Sequence, residues 1–345
     1  MSGNRNAGTA VVPPHAQLIQ MGTAYWVSRM VYAAAKFALA DRVADGPKSA
    51  AELAQLTRTH EPSLHRLLRA LASLGILSED DGGRYVLGPL GGALKTGAPG
   101  SARATILALA GDWWWRGWDQ FMYCLETGET AMQKEFGMTV FDFLAQHPEE
   151  ASYFNEAMIG FHGDEPAAVA AAYDFSRCGT VVDVGGGTGN LLAAILDRHA
   201  GTRGVLADLP HVVRDAPSLI ERRGLAHRLS VETIDFFEAV PAGGDAYLLS
   251  HVIHDWNEDQ CLAILRNCRS AMTPRSRLLI VEMVLPAGNL PHPGKLLDIA
   301  MLVMPGGQER TEDEYGALLG KAGFRVTRVI STESAVSVVE ARPAA

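Results

Sequence analysis

One segment restricts the fold of this chain more than any other: a buried strand, a turn with four glycines and a helix follow one another. Thr180–Val184 has the pattern of the strand, and it leads into Gly185-Gly186-Gly187-Thr188-Gly189. A helix is predicted next, over Leu191–His199. Glycines at such a turn let the backbone bend sharply and approach a ligand closely. The segment therefore predicts the first unit of a doubly wound α/β sheet.

Strands and helices alternate after this turn, as a parallel sheet with helices on both faces requires. The final two strands are separated only by Ser331-Thr332-Glu333, which predicts an antiparallel hairpin at the edge of the sheet. The predicted strands are Gly204–Ala207, Leu229–Thr233, Tyr247–Leu249, Leu278–Val281, Arg325–Ile330 and Ala335–Ala341, with helices over Val212–Arg223 and Glu258–Met272.

The N-terminal half has helical patterns instead. Gln17–Val43 is apolar at helical spacing and too apolar to stand alone in water, so it packs within its own domain or on a second copy of the chain. Ser49 and Glu52 form a capping box at the start of a short helix. A helix from Pro62 to Gly75 and a hairpin of Ile76–Ser78 with Tyr85–Leu87 then complete a winged-helix pattern.

Residues 100–175 are predicted to be all-helical. They include a short aromatic segment, which either packs between helices or subunits or lines a pocket for a flat aromatic substrate. Its members are Trp113, Trp114, Trp115, Trp118 and Phe121.

Charge and composition disfavour several classes of protein. The formal net charge is −9, and residues 41–90 hold six Lys and Arg against seven Asp and Glu, so neither the chain nor its winged helix is suited to nucleic acid or to an anionic membrane. No run of 18 apolar residues and no secretory signal are visible, so we expect a cytoplasmic protein. The four cysteines lack metal-site or redox-pair spacing and are expected to be reduced and mostly buried; no metal site is predicted.

The glycine turn differs from a dinucleotide fingerprint, which would need glycine where Asn190 stands. A carboxylate beside the turn, Asp183, suits a cofactor with an ammonium group and repels a pyrophosphate. Asp208 ends the second strand, 21 residues past Gly187, where a carboxylate bonds a ribose diol; a plain helix cap is the alternative. Asp235 follows the third strand and is either an adenine ligand, with Phe236 stacking on the base, or an ordinary loop acid.

Six motifs in register resemble the S-adenosylmethionine-dependent O-methyltransferases of the plant caffeate and bacterial antibiotic type. The resemblance extends over about residues 15–342, and the motifs are Asp183–Gly189, Ala207-Asp208-Leu209-Pro210, Asp235-Phe236-Phe237, His254-Asp255-Trp256, Glu282, and Pro305-Gly306-Gly307-Gln308-Glu309-Arg310-Thr311. It implies four segments: a disordered tail over 1–14, a winged-helix dimerisation domain over 15–98, a helical substrate-lining segment over 99–175 and a Rossmann-like methyltransferase domain over 176–345. It also implies a homodimer through interlocking N-terminal helices.

The resemblance also assigns site residues. His254 falls on the catalytic base, Glu282 and Glu309 on the two carboxylates that flank it, and Asp255 beside the acceptor hydroxyl. The cofactor contacts it implies are Asp183, Gly185, Gly187, Asp208, Leu209, Asp235, Phe236 and Ser250. The substrate contacts are Phe141, Phe154, Met158, Trp256, Met301 and Met304.

Two departures and several alternatives accompany these assignments. Ser250 stands where plant members usually carry lysine, and Ile234 where glycine is common. His254 is alternatively a core histidine, and Glu309 a surface partner of Arg310. Met301, Met304 and Trp256 are alternatively packing residues.

The expected activity is methyl transfer from S-adenosylmethionine to a hydroxyl, most simply a phenol, of an aromatic natural product. A phenol has a pKa near about 10 and a histidine near about 6.5, so prior proton transfer costs roughly 5 kcal/mol. Carboxylates behind the imidazole would reduce that cost. The alternatives are a non-methylating use of the same cofactor, in decarboxylation or hydroxylation, and a winged-helix regulator of DNA.

Overall fold

The computed structural model describes residues 12–344, and for Phe161 and His162 it describes the backbone alone. The predicted disordered tail lies outside the described residues up to Val11. Its last residue, Pro14, is wrongly placed in the tail, because Pro14 is the first residue of a helix. Proline suits that position since its missing N–H would have no partner in the first turn.

The helices follow one another through the first half of the chain and alternate with strands in the second. They are α1 Pro14–Thr23, α2 Tyr25–Lys36, α3 Leu39–Ala44, α4 Ala50–Thr57, α5 Glu61–Ser73, α6 Arg103–Leu109, α7 Asp112–Asp119, α8 Phe121–Thr127, α9 Ala131–Phe136, α10 Val140–Gln146, α11 Pro148–His162, α12 Glu165–Ala172, α13 Asn190–Arg198, α14 Ala216–Arg222, α15 Glu258–Ala271, α16 Gly294–Val303 and α17 Glu312–Lys321.

The strands are β1 Leu77–Glu79, β2 Tyr85–Leu87, β3 Thr180–Val184, β4 Arg203–Asp208, β5 Leu229–Thr233, β6 Ala246–Ser250, β7 Arg277–Glu282, β8 Phe324–Ser331 and β9 Ser337–Pro343. The described chain divides into two compact units. The first contains residues up to 115 together with 149–161, and the second contains 116–148 together with 162 onward.

The first unit contains the predicted winged helix. Ser49 accepts a hydrogen bond from the Glu52 backbone N–H at 3.2 Å, and the Glu52 carboxylate accepts one from the Ser49 N–H at 2.7 Å, so the capping box is confirmed. The β1–β2 pair is antiparallel. Leu53, Leu68 and Tyr85 are fully buried in the core that joins these helices to the hairpin.

The apolar N-terminal segment is helical, as predicted, but it forms three helices. α1 ends at Thr23, and a second break follows α2 at Phe37 and Ala38, where Ala38 adopts φ 49°. A single left-handed residue redirects the chain. Apolar spacing alone did not reveal either break.

The second unit is built on a seven-stranded sheet in the order β5-β4-β3-β6-β7-β9-β8. The first five strands in this order are parallel, and β9 pairs antiparallel with both β7 and β8. This confirms the doubly wound sheet and its antiparallel edge hairpin. After β5 the chain returns to place β6 beside β3, which creates a topological switch point between these two strands.

Both faces of the sheet are covered by helices. Val181, Leu248 and Leu279 point to one face, where they pack with residues of α12, α13 and α14. Val182 and Ile280 point to the other, where α15 and α17 cover them. This alternation is the two-residue period of a strand with two buried faces.

The four cysteines agree with the prediction made for them. Cys124, Cys178, Cys261 and Cys268 are all buried free thiols, as predicted. Among the residues described, no helix combines the length and the apolarity needed to cross a bilayer.

Candidate active site

The predicted functional side chains of the second unit gather where strands end at the switch point. Asp183 and the glycine turn follow β3, Asp208 ends β4, and His254 follows β6 by four residues. Parallel strands present their carboxyl ends at one edge, and open α/β sheets bind ligands there. The topology therefore brings together residues that are distant in the sequence.

Asp183 lies beneath the glycine turn. Its side chain is fully buried, and neither carboxylate oxygen has a hydrogen-bond partner among the described residues. A Cβ at Gly186 would come within 2.6 Å of this carboxylate, which explains why glycine is required there. Burial, with the nearby charge of Asp208, raises the pKa of Asp183 to about 7. The carboxylate is thus enclosed beneath the turn and presents no open surface.

Asp208 is bonded to the same turn. Its Oδ2 accepts a hydrogen bond from the Gly187 N–H at 2.9 Å, and its Oδ1 accepts one from the Leu209 N–H at 2.7 Å. Burial raises the pKa of Asp208, and these two bonds oppose that effect. The helix-cap alternative does not hold, since no helix begins with Asp208 as its cap. Each oxygen retains a lone pair for a ligand hydroxyl.

Phe236 lies against the glycine turn. A Cβ at Gly185 would be 3.3 Å from the Phe236 ring and 2.8 Å from a Val252 methyl. Asp235 accepts a hydrogen bond from the Phe237 N–H at 2.8 Å and is exposed. The segment after β5 and the segment that leads to His254 therefore both contact the turn. Ser250, the last residue of β6, is half-buried beside them.

The imidazole of His254 is paired with Glu309. His254 is buried, and its Nδ1 lies 2.6 Å from Glu309 Oε1. An ionised carboxylate only accepts hydrogen bonds, so Nδ1 carries the hydrogen and the neutral ring keeps its lone pair on Nε2. Nε2 lies 3.6 Å from Asp255 Oδ1. Because Glu309 is buried, the surface-pair alternative with Arg310 is wrong.

Glu282 is arranged differently from the prediction. It does not flank the ring by a hydrogen bond: its Oε1 accepts the backbone N–H of His254 at 3.1 Å, and its Oε2 accepts the Tyr315 hydroxyl. Glu282 and Tyr315 are both fully buried. The carboxylate thus holds the backbone of the turn that carries His254, and only its charge acts on the imidazole.

Electrostatics at this turn favour the imidazolium form. Burial lowers the pKa of His254, but the charge of Asp255, the hydrogen bond to Glu309 and the charge of Glu282 outweigh it and raise the pKa to about 10. Burial raises the pKa of Asp255 to about 6, against the opposing charge of His254. The ring is therefore a much stronger base than an ordinary histidine.

The loop that carries Glu309 packs directly on the turn that carries His254. A Cβ at Gly307 would collide with the His254 carbonyl oxygen, so only glycine allows this approach. Asp298 of α16 accepts the Glu309 backbone N–H at 2.8 Å. Arg310 is buried and donates to the Ile253 carbonyl at 3.3 Å. Burial raises the pKa of Asp298, and the positive charge of Arg310 opposes that effect.

Aromatic side chains extend from the turn. Trp256 stacks on Phe141 with ring centroids 5.1 Å apart and meets Phe237 edge-on at 4.8 Å. Met304 is fully buried, and its sulfur would lie 2.6 Å from a Cβ at Gly117, which agrees with packing. Met301 is also buried. Trp256 therefore packs against Phe237, while its stacking partner Phe141 is partly exposed to solvent.

The remaining predicted substrate residues lie in the first unit. Phe154 and Met158 are half-buried on α11, where Thr105 donates to the carbonyl of Ala157. Trp113 and Trp114 are buried there and meet edge-on with centroids 5.2 Å apart. This favours the packing interpretation for these two tryptophans.

Sequence reasoning missed several supporting residues: His251, Glu165, Asp298, Arg310 as a buried group, and Tyr315. Arg310 lies within the last of the six motifs and His251 follows Ser250, and these positions were the one available signal. Glu165 lies 86 residues from its partner His251. Nothing local in the sequence connects such positions.

The turn and its surroundings fit an adenosyl cofactor with an ammonium group. Asp208 offers lone pairs at the end of β4, and a Cβ at Gly187 meets nothing within 4 Å, so one side of the turn is open. The buried carboxyl group of Asp183 lies beneath it. Among the described residues no group of three metal-ligating side chains converges on a point.

Comparison with known proteins agrees with this geometry. The model of the O-methyltransferase domain matches residues 118–325, and that of the O-methyltransferase dimerisation domain matches residues 19–97. A phenazine O-methyltransferase of Lysobacter antibioticus is 45% identical over 343 residues, which is 99% of this chain and 100% of the relative. An 8-amino-8-demethylriboflavin N,N-dimethyltransferase of Streptomyces davaonensis is 34% identical over 94% of each chain.

A solved structure adds the cofactor. The O-methyltransferase of neocarzinostatin biosynthesis, crystallised with S-adenosylmethionine and 2-hydroxy-5-methyl naphthoic acid, superposes with a TM-score of 0.82 at 33% identity, covering 92% of this chain and 96% of its own. From these matches and the site geometry, the chain belongs to the S-adenosylmethionine-dependent O-methyltransferases that carry an N-terminal dimerisation domain.

Proposed function

We propose that this enzyme methylates a phenolic hydroxyl of an aromatic natural product, with His254 as the general base. S-adenosylmethionine supplies a methyl group on a positively charged sulfur, which an aligned oxygen lone pair accepts directly. The protein therefore has to hold the acceptor, exclude water and remove one proton. The observation that carries the proposal is the buried hydrogen bond of 2.6 Å between His254 and Glu309.

The proton is taken by Nε2 of His254. Its Nδ1–H is directed at Glu309, so the tautomer with a lone pair on Nε2 is the stable neutral form. A pKa of about 10 matches that of a phenol, and transfer is then close to isoenergetic instead of costing roughly 5 kcal/mol. Asp255, 3.6 Å from Nε2, stabilises the imidazolium that forms.

This matching favours oxygen over nitrogen as the acceptor. A phenol must lose its proton as the new bond forms, whereas an aromatic amine attacks with a neutral lone pair and its methylated ammonium releases a proton to water unaided. The Streptomyces davaonensis relative is named for N-methylation, so the family accommodates both. A base as strong as His254 is needed for the oxygen acceptor.

We also propose roles for the other predicted residues. Asp208 would bond the ribose diol, Asp235 and Phe236 the adenine, and Gly185 and Gly187 would let the backbone approach the cofactor. Trp256 and Phe141, which stack, would contact the flat acceptor.

Incubation with methyl-labelled S-adenosylmethionine and paired phenols and anilines on the same phenazine or naphthoate ring tests the proposal. We expect label in an aryl ether and little in the matched aniline, identified by mass spectrometry and NMR of the products. Label found mainly on nitrogen would contradict the assignment of the acceptor. Label that stays on the cofactor while the acceptor loses carbon dioxide or gains oxygen would mean that methyl transfer is not the reaction.

We further propose that α1 and α2 pack on a second copy of the chain. Leu18, Ile19, Met21 and Trp26 are all more than half exposed, and together they form an apolar face that a lone protein would expose to water. The match to the dimerisation domain covers these residues from position 19 onward. A homodimer would bury this face.

Sedimentation velocity is expected to give about twice the 37.0 kDa chain mass. Changing Leu18 and Met21 to aspartate should shift the protein to the monomer, because two charges would be buried without partners. The matched control is Leu56→Asp, an equally simple change at an exposed residue of α4 outside this face. A wild-type monomer at micromolar concentration would disprove this interface.

A further inference from the structure

The residue that ends the strand before the catalytic turn has an unusual backbone. His251 directly follows β6 and adopts φ 52°, in the left-handed region that a side chain with a Cβ rarely occupies. Its N–H donates to the Val281 carbonyl at 3.1 Å, so pairing with β7 continues through this residue. The chain then turns to place His254 three residues later. Such a conformation persists only where surrounding contacts hold it, and it is concentrated at functional sites.

Glu165 supplies such a contact. It is the first residue of α12 and is buried, and its Oε1 lies 2.7 Å from His251 Nε2. An ionised carboxylate only accepts, so Nε2 of His251 is the donor. The two side chains are 10% and 9% exposed, so water competes little for the bond.

The His251 ring also packs near the base. Its centroid lies 5.2 Å from that of His254, with the ring planes at 51°. His251 thus lies between Glu165 and His254 and forms one wall of the space that the catalytic ring occupies. Glu309 restrains the same ring from Nδ1 by a separate bond. Together these contacts limit the ring's rotation.

We propose that Glu165 and His251 are positioning residues for methyl transfer. Their hydrogen bond holds the left-handed turn after β6 and thereby fixes the location of the His254 ring relative to the acceptor. This inference rests on the proposed role of His254 as the base. Neither residue exchanges a proton with the acceptor in this scheme; both act through His254, where a displacement of about 1 Å is enough to lower the rate on the order of 100-fold.

Three variants and a control test this inference. Glu165→Ala removes the acceptor, Glu165→Gln keeps an amide oxygen in its place, and His251→Asn keeps a residue that tolerates the left-handed backbone but does not reach Glu165. The control is Glu340→Gln, because Glu340 is another buried carboxylate of the second unit, bonded to Tyr173 and Arg328.

For Glu165→Ala and His251→Asn we expect kcat to fall about 10- to 100-fold, with the KM for S-adenosylmethionine unchanged. Glu165→Gln should recover most of the loss, and Glu340→Gln should lower Tm without lowering kcat at a temperature where it is folded. If Glu165→Ala fails to fold, His251→Asn and Glu165→Gln decide the matter by the same kcat comparison.

Two outcomes would overturn the inference. One is wild-type kcat in folded Glu165→Ala or His251→Asn protein, which would make the pair purely structural. The other is a loss that Glu165→Gln does not recover, which would require the charge rather than the bond. His254→Ala, measured in parallel, separates these from failure of the proposed base: if His254→Ala keeps turnover, the base assignment fails, whatever the Glu165 variants do.

Discussion

Replacing His254 by alanine is expected to lower kcat by about 10²- to 10⁴-fold, the usual contribution of a positioned general base. Without the imidazole, the strongest base near the acceptor is lost, and Asp255, with a pKa of about 6, is a much weaker one. The glycine turn does not depend on this side chain, since the hydrogen bonds of Asp208 to Gly187 and Leu209 do not involve His254. The Kd of S-adenosylmethionine, measured by calorimetry, should therefore stay near that of the wild type.

His254→Gln is the matched variant, because it preserves approximate size and a polar end but provides no base. An equal loss of kcat in both variants would show that the effect comes from the lost proton transfer and not from the cavity that alanine leaves at position 254. A large loss of cofactor affinity in either variant would contradict the assigned role. So would turnover that survives both changes.

The pH dependence of the same reaction provides a check with a defined sign. The pKa of His254 is raised to about 10, so at neutral pH most of the free enzyme carries an imidazolium, which is not a base. We expect kcat/KM to rise with pH and to level off near pH 10. Glu309→Gln removes a charge that raises this pKa, so the plateau should begin at a lower pH and be lower in height. A flat profile between pH 7 and pH 9 would count against a titrating His254.

Replacing Asp208 by alanine is expected to weaken cofactor binding and to leave kcat nearly unchanged, the reverse of the His254 variants. A hydrogen bond to a charged group contributes about 1.5–3 kcal/mol, so the Kd of S-adenosylmethionine should rise about 10- to 100-fold. The variant also frees the N–H groups of Gly187 and Leu209, which loosens the turn. At saturating cofactor, kcat should change little, because His254 and Glu309 are untouched.

Asp197→Ala is the control for this experiment. Asp197 is an exposed acid of α13, paired with Arg223 at 2.6 Å, and an exposed pair adds little to stability. Both variants are titrated with S-adenosylmethionine by calorimetry. A higher Kd in Asp208→Ala alone indicates a lost ligand contact, whereas a similar rise in both indicates only the loss of a negative charge. An unchanged Kd in folded Asp208→Ala would exclude the ribose contact.

Much of the fold followed from local patterns. Thr180–Val184 was predicted with the bounds that the structure has, because a strand buried on both faces is a nearly continuous apolar run. Leu229–Thr233 was also predicted with its bounds, but it lies at the edge of the sheet and only Leu229 is buried. The capping box at Ser49 and Glu52 was likewise recognisable, since its two bonds join residues three apart. Val212–Arg223 was less accurate: a short 3-10 turn over Val213–Asp215 precedes α14.

His254 and Glu309 were found by resemblance, but the atoms that they contact were not. His254 and Glu309 are 55 residues apart, and their hydrogen bond exists only because the Gly307 loop packs on the turn after β6. Glu282 was expected beside the imidazole, yet it bonds the backbone of His254 and the hydroxyl of Tyr315. A carboxylate at a strand end is visible in a sequence, whereas the atom that it contacts is not.

The sequence by itself therefore determined the order of elements and the glycine turn, because these depend on periods of two to four residues. Its resemblance to a known family assigned the histidine and the acids at the strand ends. Only the tertiary structure decided which carboxylate meets which nitrogen, that Asp183 is buried with no hydrogen-bond partner in the described part of the chain, and that Glu165 reaches His251. Those outcomes depend on how buried polar groups compete for partners across the folded sheet edge, and that competition has no local signature.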